Sequence, residues 1–251
     1  MVYYDCLMKH TNTADIQSST SKIELSVVIP CHNEADNLQY LIPDLIQSLE
    51  TAQIVYEIII IDACTGDGTQ ELASEYDQVR YYTETSPGYG SAIMKGVSIA
   101  RAEYILTLDA DLSHPASFIE QLWNARVPHG IVVASRYVPG GKADQNPFRL
   151  WLSRLLNSFF RIGFKLPYRD MTSGYRIYHH AVFHDIQPKF TNFVILLEIL
   201  LMAHQQQVRI CEIPFHYQPR HTGHSHARIL AFGVDYLRLF LHFRTWRNIK
   251  K

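Results

Sequence analysis

An α/β fold, a mostly parallel sheet flanked by helices in a single domain, is predicted by three features of this sequence. Short β-branched apolar runs recur through the first half of the chain. Amphipathic segments of helical period separate them, and that alternation builds parallel sheets with helical crossovers. The 251 residues, 47% of them hydrophobic, suffice for one core burying roughly 70% of the unfolded surface and fall short of two generous domains.

Residues 1–22, rich in Thr, Ser, Asn and Asp without periodicity, read as a disordered leader. Residues 23–225 read as the domain. Strands are expected at residues 25–29, 56–61, 79–82, 104–108 and 131–134, where β-branched and apolar side chains cluster. Helices are expected at residues 37–49 and 91–101. The second half is less regular: a helix over 147–163, a short strand near 175–178, a helix over 193–205 and a strand over 208–217. These complete the sheet and cover the acceptor side. Residues 226–251 read as a basic amphipathic C-terminal helix, with Leu230, Val234, Leu237 and Leu241 at helical spacing beside Arg238, Arg244, Arg247, Lys250 and Lys251. Such a helix suits an anionic bilayer surface or core packing with a solvated basic face, and periodicity is the same for both.

The 23 basic and 24 acidic side chains nearly cancel, so bulk charge gives no nucleic-acid partner. Four scattered cysteines without a Cys-x-x-Cys spacing, and an N-terminus lacking an apolar secretion segment, imply a reducing, cytoplasmic setting. The longest apolar stretches, residues 58–61 and 193–203, are shorter than the ~20 residues that span a bilayer. Membrane contact is therefore expected to be peripheral, on the cytoplasmic face.

In open parallel sheets ligands bind beyond the carboxyl ends of the strands. The segments there are Pro30-Cys31-His32-Asn33-Glu34, Asp62 through Gly68, and Asp109-Ala110-Asp111. All three should meet in one crevice. Two carboxylates one residue apart after a strand suit one hard cation, with water and phosphate oxygens filling its other positions, and such an ion neutralises a departing diphosphate. Duller readings stand beside this: Asp62 and Asp67-Gly68 as turn residues, Glu34 as a first-turn helix carboxylate. Gly88-Tyr89-Gly90 reads as a tight turn near the donor. The absence of a full glycine fingerprint disfavours a nicotinamide oxidoreductase.

Taken together, the Ser26 to Glu34 string, Ile61-Asp62 with Asp67-Gly68-Thr69, Asp109 to Pro115 and Ser135-Arg136-Tyr137 resemble glycosyltransferase family 2. Gly140-Gly141-Lys142, Ser173-Gly174 and the Arg220 to His226 loop extend the likeness, which is greatest to the dolichol-phosphate (polyprenol-phosphate) mannose synthases. The resemblance implies a Rossmann-like GT-A fold and an inverting, metal-dependent transfer of a hexose, mannose favoured, from GDP-mannose to a polyprenyl or dolichyl phosphate. It places Pro30, His32, Glu34, Ile61 and Asp62 around the nucleotide and Ala110 against the donor. It gives Asp109 and Asp111 a Mg²⁺ or Mn²⁺ ion, and makes Asp111 and Arg136 catalytic. Arg136 and Arg220 would meet phosphates, as would His226; Lys142, Arg149 and Ser173 fall on the acceptor side. The implied partners are a nucleotide sugar, a lipid phosphate, the membrane surface and, as an open option, a membrane-anchoring subunit.

Three departures bear on the substrate. Ala63 replaces a usual second Asp, which leaves the donor base open. His32 replaces a usual Tyr. His226 replaces a usual Lys in the late loop and is only partly charged at pH 7 on an ordinary pKa of about 6.5. A different donor such as a UDP-sugar, a non-lipid acceptor, and a catalytically silent nucleotide-sugar-binding subunit remain as alternatives.

Overall fold

The computed structural model describes residues 22–64, 66–218 and 233–249. The expected leader as far as residue 21, Arg220 and His226 lie outside them. In chain order the elements are β1 (Leu25–Cys31), α1 (Ala35–Thr51), β2 (Tyr56–Asp62), α2 (Thr69–Ala73), β3 (Val79–Thr83), α3 (Tyr89–Ile99), β4 (Tyr104–Thr107) and α4 (Ile119–Asn124). They continue with β5 (Ile131–Ser135), β6 (Lys142–Ala143), α5 (Pro147–Phe164), β7 (Arg176–His179), α6 (Ile195–Gln205), β8 (Ile210–Pro214), β9 (His216–Tyr217) and α7 (Gly233–Ile249).

Seven strands form one sheet in the order β3-β2-β1-β4-β7-β5-β8. All pair in parallel except β7, which runs antiparallel to both β4 and β5. Leu25 pairs with Tyr56 on one side and Tyr104 on the other, and Cys31 pairs with Asp62. This register brings the loops after β1, β2 and β4 out at one edge.

Side chains of a strand alternate between sheet faces, and both faces here are covered, as parallel sheets require. Leu25, Val27, Ile29, Ile58, Ile60, Leu106, Val132 and Ala134 join a core with Leu38, Leu41, Leu45 and Leu122 of α1 and α4. Val28, Ile59, Ile61 and Ile105 point the other way, onto Ile93 and Val97 of α3. Ile131, Val133 and Tyr178 meet Phe160 of α5, the apolar α6, and Tyr236, Leu239 and Phe243 of α7. At the amino end of the sheet the buried Glu57 carboxylate accepts from Ser26 Oγ (2.7 Å), Arg80 Nη1 (2.6 Å) and the Arg101 amide (2.8 Å). A buried charge is tolerated when so fully bonded.

The strand expected over residues 208–217 divides into β8, in the main sheet, and β9, which pairs with β6. Pro214 ends the first piece, since it has no amide hydrogen to continue a ladder.

Candidate active site

The chain leaving β4 makes a tight, over-determined turn. Leu112 sits in left-handed conformation at φ 62°, which costs a non-glycine residue roughly 1–2 kcal/mol. Local bonds offset that cost: Asp111 Oδ1 accepts from both the amide (3.1 Å) and the hydroxyl of Ser113. Asp109 N donates to His114 Nδ1 at 3.0 Å, which places the imidazole proton on Nε2, and the His114 ring stacks on Tyr175 at 4.8 Å. His114 and Ser113 thus hold the backbone that presents Asp109 and Asp111.

Both carboxylates line a crevice of about 370 Å³ at the carboxyl edge of the sheet. Pro30, Cys31, His32 and Glu34 from the β1 end line it too, with Ala63 from the β2 end and Ala110 between the aspartates. Glu34 precedes α1 and accepts from Asn37 Nδ2 at 2.6 Å. The adjoining α1 amide, on Ala35, is capped from another loop by Asp67 Oδ2 (3.0 Å), whose other oxygen accepts from the Thr69 amide. Asp67 therefore ties the two strand-end loops together. Burial, then the neighbouring charges of Glu34, Asp62 and Asp67, push the Cys31 thiol well above its usual range. This end of the crevice is acidic.

The far wall comes from Gly88, Tyr89, Glu84, Ser86, Asn192 and Phe193. Gly88, at φ 109°, and Gly90 let the start of α3 close onto the 190–191 backbone: a Cβ on Gly90 would lie 2.6 Å from the Phe190 carbonyl, and one on Gly88 would overlap that of Thr191. The Gly90 amide donates to Thr191 O at 2.7 Å. These glycines serve close packing. Tyr89 stacks on Phe193 at 4.2 Å, and its buried hydroxyl lies beside Asp109; burial first, then that charge, hold the phenol well above its usual range. The buried Glu198 of α6 accepts from the amides of Lys189 and Phe190 (both 2.9 Å), and Asn192 Nδ2 donates to Asp235 Oδ2 of α7 at 2.7 Å. The wall is thus pinned to two helices.

The Glycosyl transferase family 2 model matches residues 26–187, more than half of the chain and nearly all of the crevice. The chain belongs to that family. A dolichol-phosphate mannosyltransferase of Pyrococcus furiosus is 31% identical over 90% of this chain, which spans only 65% of that relative's length. A dolichol-phosphate mannosyltransferase of Saccharomyces cerevisiae is 28% identical, covering 88% of this chain and 93% of that protein. The polyprenol monophosphomannose synthase of Mycolicibacterium smegmatis is 30% identical over 79% of each. Among solved structures, glucosyl-3-phosphoglycerate synthase from Mycobacterium tuberculosis, in complex with Mn²⁺, UDP and glucosyl-3-phosphoglycerate, superposes with a TM-score of 0.67. It is 14% identical and covers 87% of this chain and 79% of that one. Mannosyl-3-phosphoglycerate synthase from Rubrobacter xylanophilus gives 0.66 at 18% identity, covering 91% and 76%. The family 2 chain therefore has the GT-A fold.

Several residues that the family pattern suggests for the site do not line this crevice. The Ile61 side chain is fully buried in the core against α3. Asp62, at the end of β2, is buried and accepts from the Tyr81 hydroxyl at 2.9 Å. Arg136 grips the fully buried Asp170, through Nε and Nη2 (both 2.8 Å) and its own amide (2.9 Å), and reaches Thr172 Oγ1 (2.9 Å). Burial alone would lower the Arg136 guanidinium; the Asp170 carboxylate outweighs it and holds the group above its usual value. Arg136 instead borders a second hollow with Arg154, Arg161, Arg169 and the Gly140-Gly141 turn. Lys142 is exposed on β6, Arg149 is exposed in the first turn of α5, and the buried Ser173 hydroxyl accepts from the Tyr175 amide. None of these lines the crevice. Conversely, Asn192 and Phe193 line it without being singled out by sequence, while Gly88 and Tyr89 line it from the turn expected near the donor.

Proposed function

We propose that this chain transfers a hexose from a nucleotide sugar to a polyprenyl or dolichyl phosphate with inversion, mannose from GDP-mannose being the favoured donor. The observation that carries the reading is that Asp109 and Asp111 share one crevice with Pro30, His32 and Glu34. The relatives named for dolichol or polyprenol phosphate supply the acceptor class.

The donor set fits a hard divalent cation: two carboxylates a residue apart, held on one rigid turn. With only Asp109 and Asp111 as protein ligands, an ion held there would leave its other positions to water and diphosphate oxygens. Mg²⁺ or Mn²⁺ there would offset the charge of the leaving diphosphate. The acceptor phosphate is already anionic, so it needs positioning and desolvation rather than a general base. Its oxygen forms the new bond to the anomeric carbon from the opposite face, the bond to the diphosphate breaks with its electron pair, and no proton need move. The crevice walls orient the donor, with Phe193 and Tyr89, stacked on each other, as an aromatic surface in the crevice that His32 also lines.

Because Ala63 lines the crevice where the family usually has a carboxylate, a UDP-sugar is the second donor reading. Purified chain incubated with GDP-mannose, UDP-glucose and UDP-N-acetylglucosamine, with and without Mg²⁺, in the presence of a polyprenyl phosphate, tests both. One donor should give a metal-dependent lipid-linked sugar, and Asp111→Asn should abolish it. No product from any donor refutes the activity; full activity in Asp111→Asn refutes the metal site.

A further inference from the structure

Tyr89 opens α3 between two glycines and is held from two sides. Gly88 and Gly90 press the start of the helix onto the 190–191 backbone, and the Tyr89 ring stacks on Phe193 with centroids 4.2 Å apart and planes 18° from parallel. The ring is thereby fixed, and its oxygen reaches the loop that precedes β7. The space the oxygen occupies exists because residue 174 has no side chain: a Cβ on Gly174 would lie 2.7 Å from the Tyr89 oxygen and 3.3 Å from Asp109 Oδ1. Hydroxyl and carboxylate therefore share one small pocket at the edge of the crevice that both residues line.

The hydroxyl is wholly buried there and meets no hydrogen-bond partner among the described residues. Leaving such a group unsatisfied costs about 1–3 kcal/mol. A phenylalanine would stack on Phe193 equally well and avoid that cost, so packing alone gives no reason for the oxygen. Nearby oxygens receive donors of their own: Thr107 Oγ1 donates to Gly174 O at 2.7 Å, and Arg176 Nη1 donates to the Tyr178 hydroxyl at 3.3 Å. Of the charges that act on the phenol, that of Asp109 acts most strongly, and burial together with that charge keeps the phenol protonated. It can meet the carboxylate only as a donor. An ionised carboxylate has about four lone-pair sites on its two oxygens, enough for a cation and a phenol at once.

We propose that Tyr89 is a positioning residue for the cation site: its hydroxyl donates to the Asp109 carboxylate and fixes that side chain as a metal ligand. Carboxylates that bind metals are themselves hydrogen-bonded, and loss of such a supporting partner costs about 10- to 100-fold in affinity. Tyr89 can act in this way only if Asp109 and Asp111 hold a divalent ion, as proposed above; neither the sugar nor the acceptor enters.

Binding of Mn²⁺ to the purified chain, read by electron paramagnetic resonance with and without GDP, tests this in wild type, Tyr89→Phe and Asp109→Asn. Wild type should bind the ion and Asp109→Asn should lose it. Tyr89→Phe should raise the Kd for Mn²⁺ about tenfold. Without metal the same variant should melt no lower than wild type, because it keeps the ring and removes an unsatisfied oxygen, whereas its gain in melting temperature on adding Mn²⁺ should shrink. Equal Mn²⁺ affinity in Tyr89→Phe and wild type, with Asp109→Asn impaired, overturns the role of Tyr89 and leaves the metal site standing. Wild type binding no more tightly than Asp109→Asn removes the metal site and the role of Tyr89 with it. Unchanged Mn²⁺ affinity with a raised KM for the nucleotide sugar overturns the proposal in favour of a direct contact with the donor. Unchanged affinity with a lower metal-free melting temperature overturns it in favour of packing.

Discussion

Asp170→Asn isolates what holds the Ser135-Arg136-Tyr137 segment. Asp170 is wholly buried and receives three bonds from Arg136, two of them from the guanidinium. An amide at this position turns one acceptor into a donor that faces a donor, and leaves a buried guanidinium without its counter-charge. Breaking one partner of such a pair costs about 3–5 kcal/mol, a large part of a total of about 5–15 kcal/mol. At a urea slope of about 2–3 kcal/mol/M, the unfolding midpoint should fall by on the order of 1.5 M. With Arg136→Met the double variant should lose less than the sum of the singles, giving a coupling of about 2–3 kcal/mol. The acid limb gives a second reading. Burial tends to raise the Asp170 carboxyl, but the charge and hydrogen bonds of Arg136 prevail and hold it below its usual value of 3.8. The stability that ionised Asp170 contributes is thus complete above that value and is lost as pH falls through the lower, folded-state value. That acid-side loss should be absent in Asp170→Asn. A variant within about 1 kcal/mol of wild type, with an unchanged acid limb, would refute the pairing.

Gly174→Ala probes the proposed metal site indirectly: the added methyl would sit 2.7 Å from the Tyr89 hydroxyl and 3.3 Å from Asp109 Oδ1. The metal concentration for half-maximal turnover should rise about tenfold, a loss of about 1.4 kcal/mol in metal affinity, and an unchanged metal titration would exclude the contact. Gly96→Ala places a methyl onto the Val28 side chain across the α3–β1 contact. Overpacking of about 1–3 kcal/mol should exceed the gain in helix propensity of about 1 kcal/mol, and Val28→Ala should relieve it in urea denaturation.

Much of the first half of the fold is legible in the sequence because its signals are local. The runs around Val27, Ile59 and Leu106 are apolar and β-branched, and each becomes a strand within one or two residues of its expected ends. The convergence of Glu34 and Asp109 follows from parallel strands in register. The placement of β7 depends on pairing across distance: it enters antiparallel between β4 and β5, and nothing near Arg176 announces that. α2 and α4, of five and six residues, are too short to show a period. The pairing of Arg136 with Asp170 is not legible because the two lie 34 residues apart.

Asn192 joins the crevice wall to the C-terminal helix through a single hydrogen bond to Asp235. That bond makes the far end of the chain part of the working shape of the pocket, although α7 contributes no strand to the sheet. A protein shortened before Gly233 would lose both the strut behind Phe193 and the Tyr236, Leu239 and Phe243 side chains that pack on Ile131, Val133 and Tyr178. Intact and shortened preparations should be compared before an inactive short form is read as an inactive enzyme.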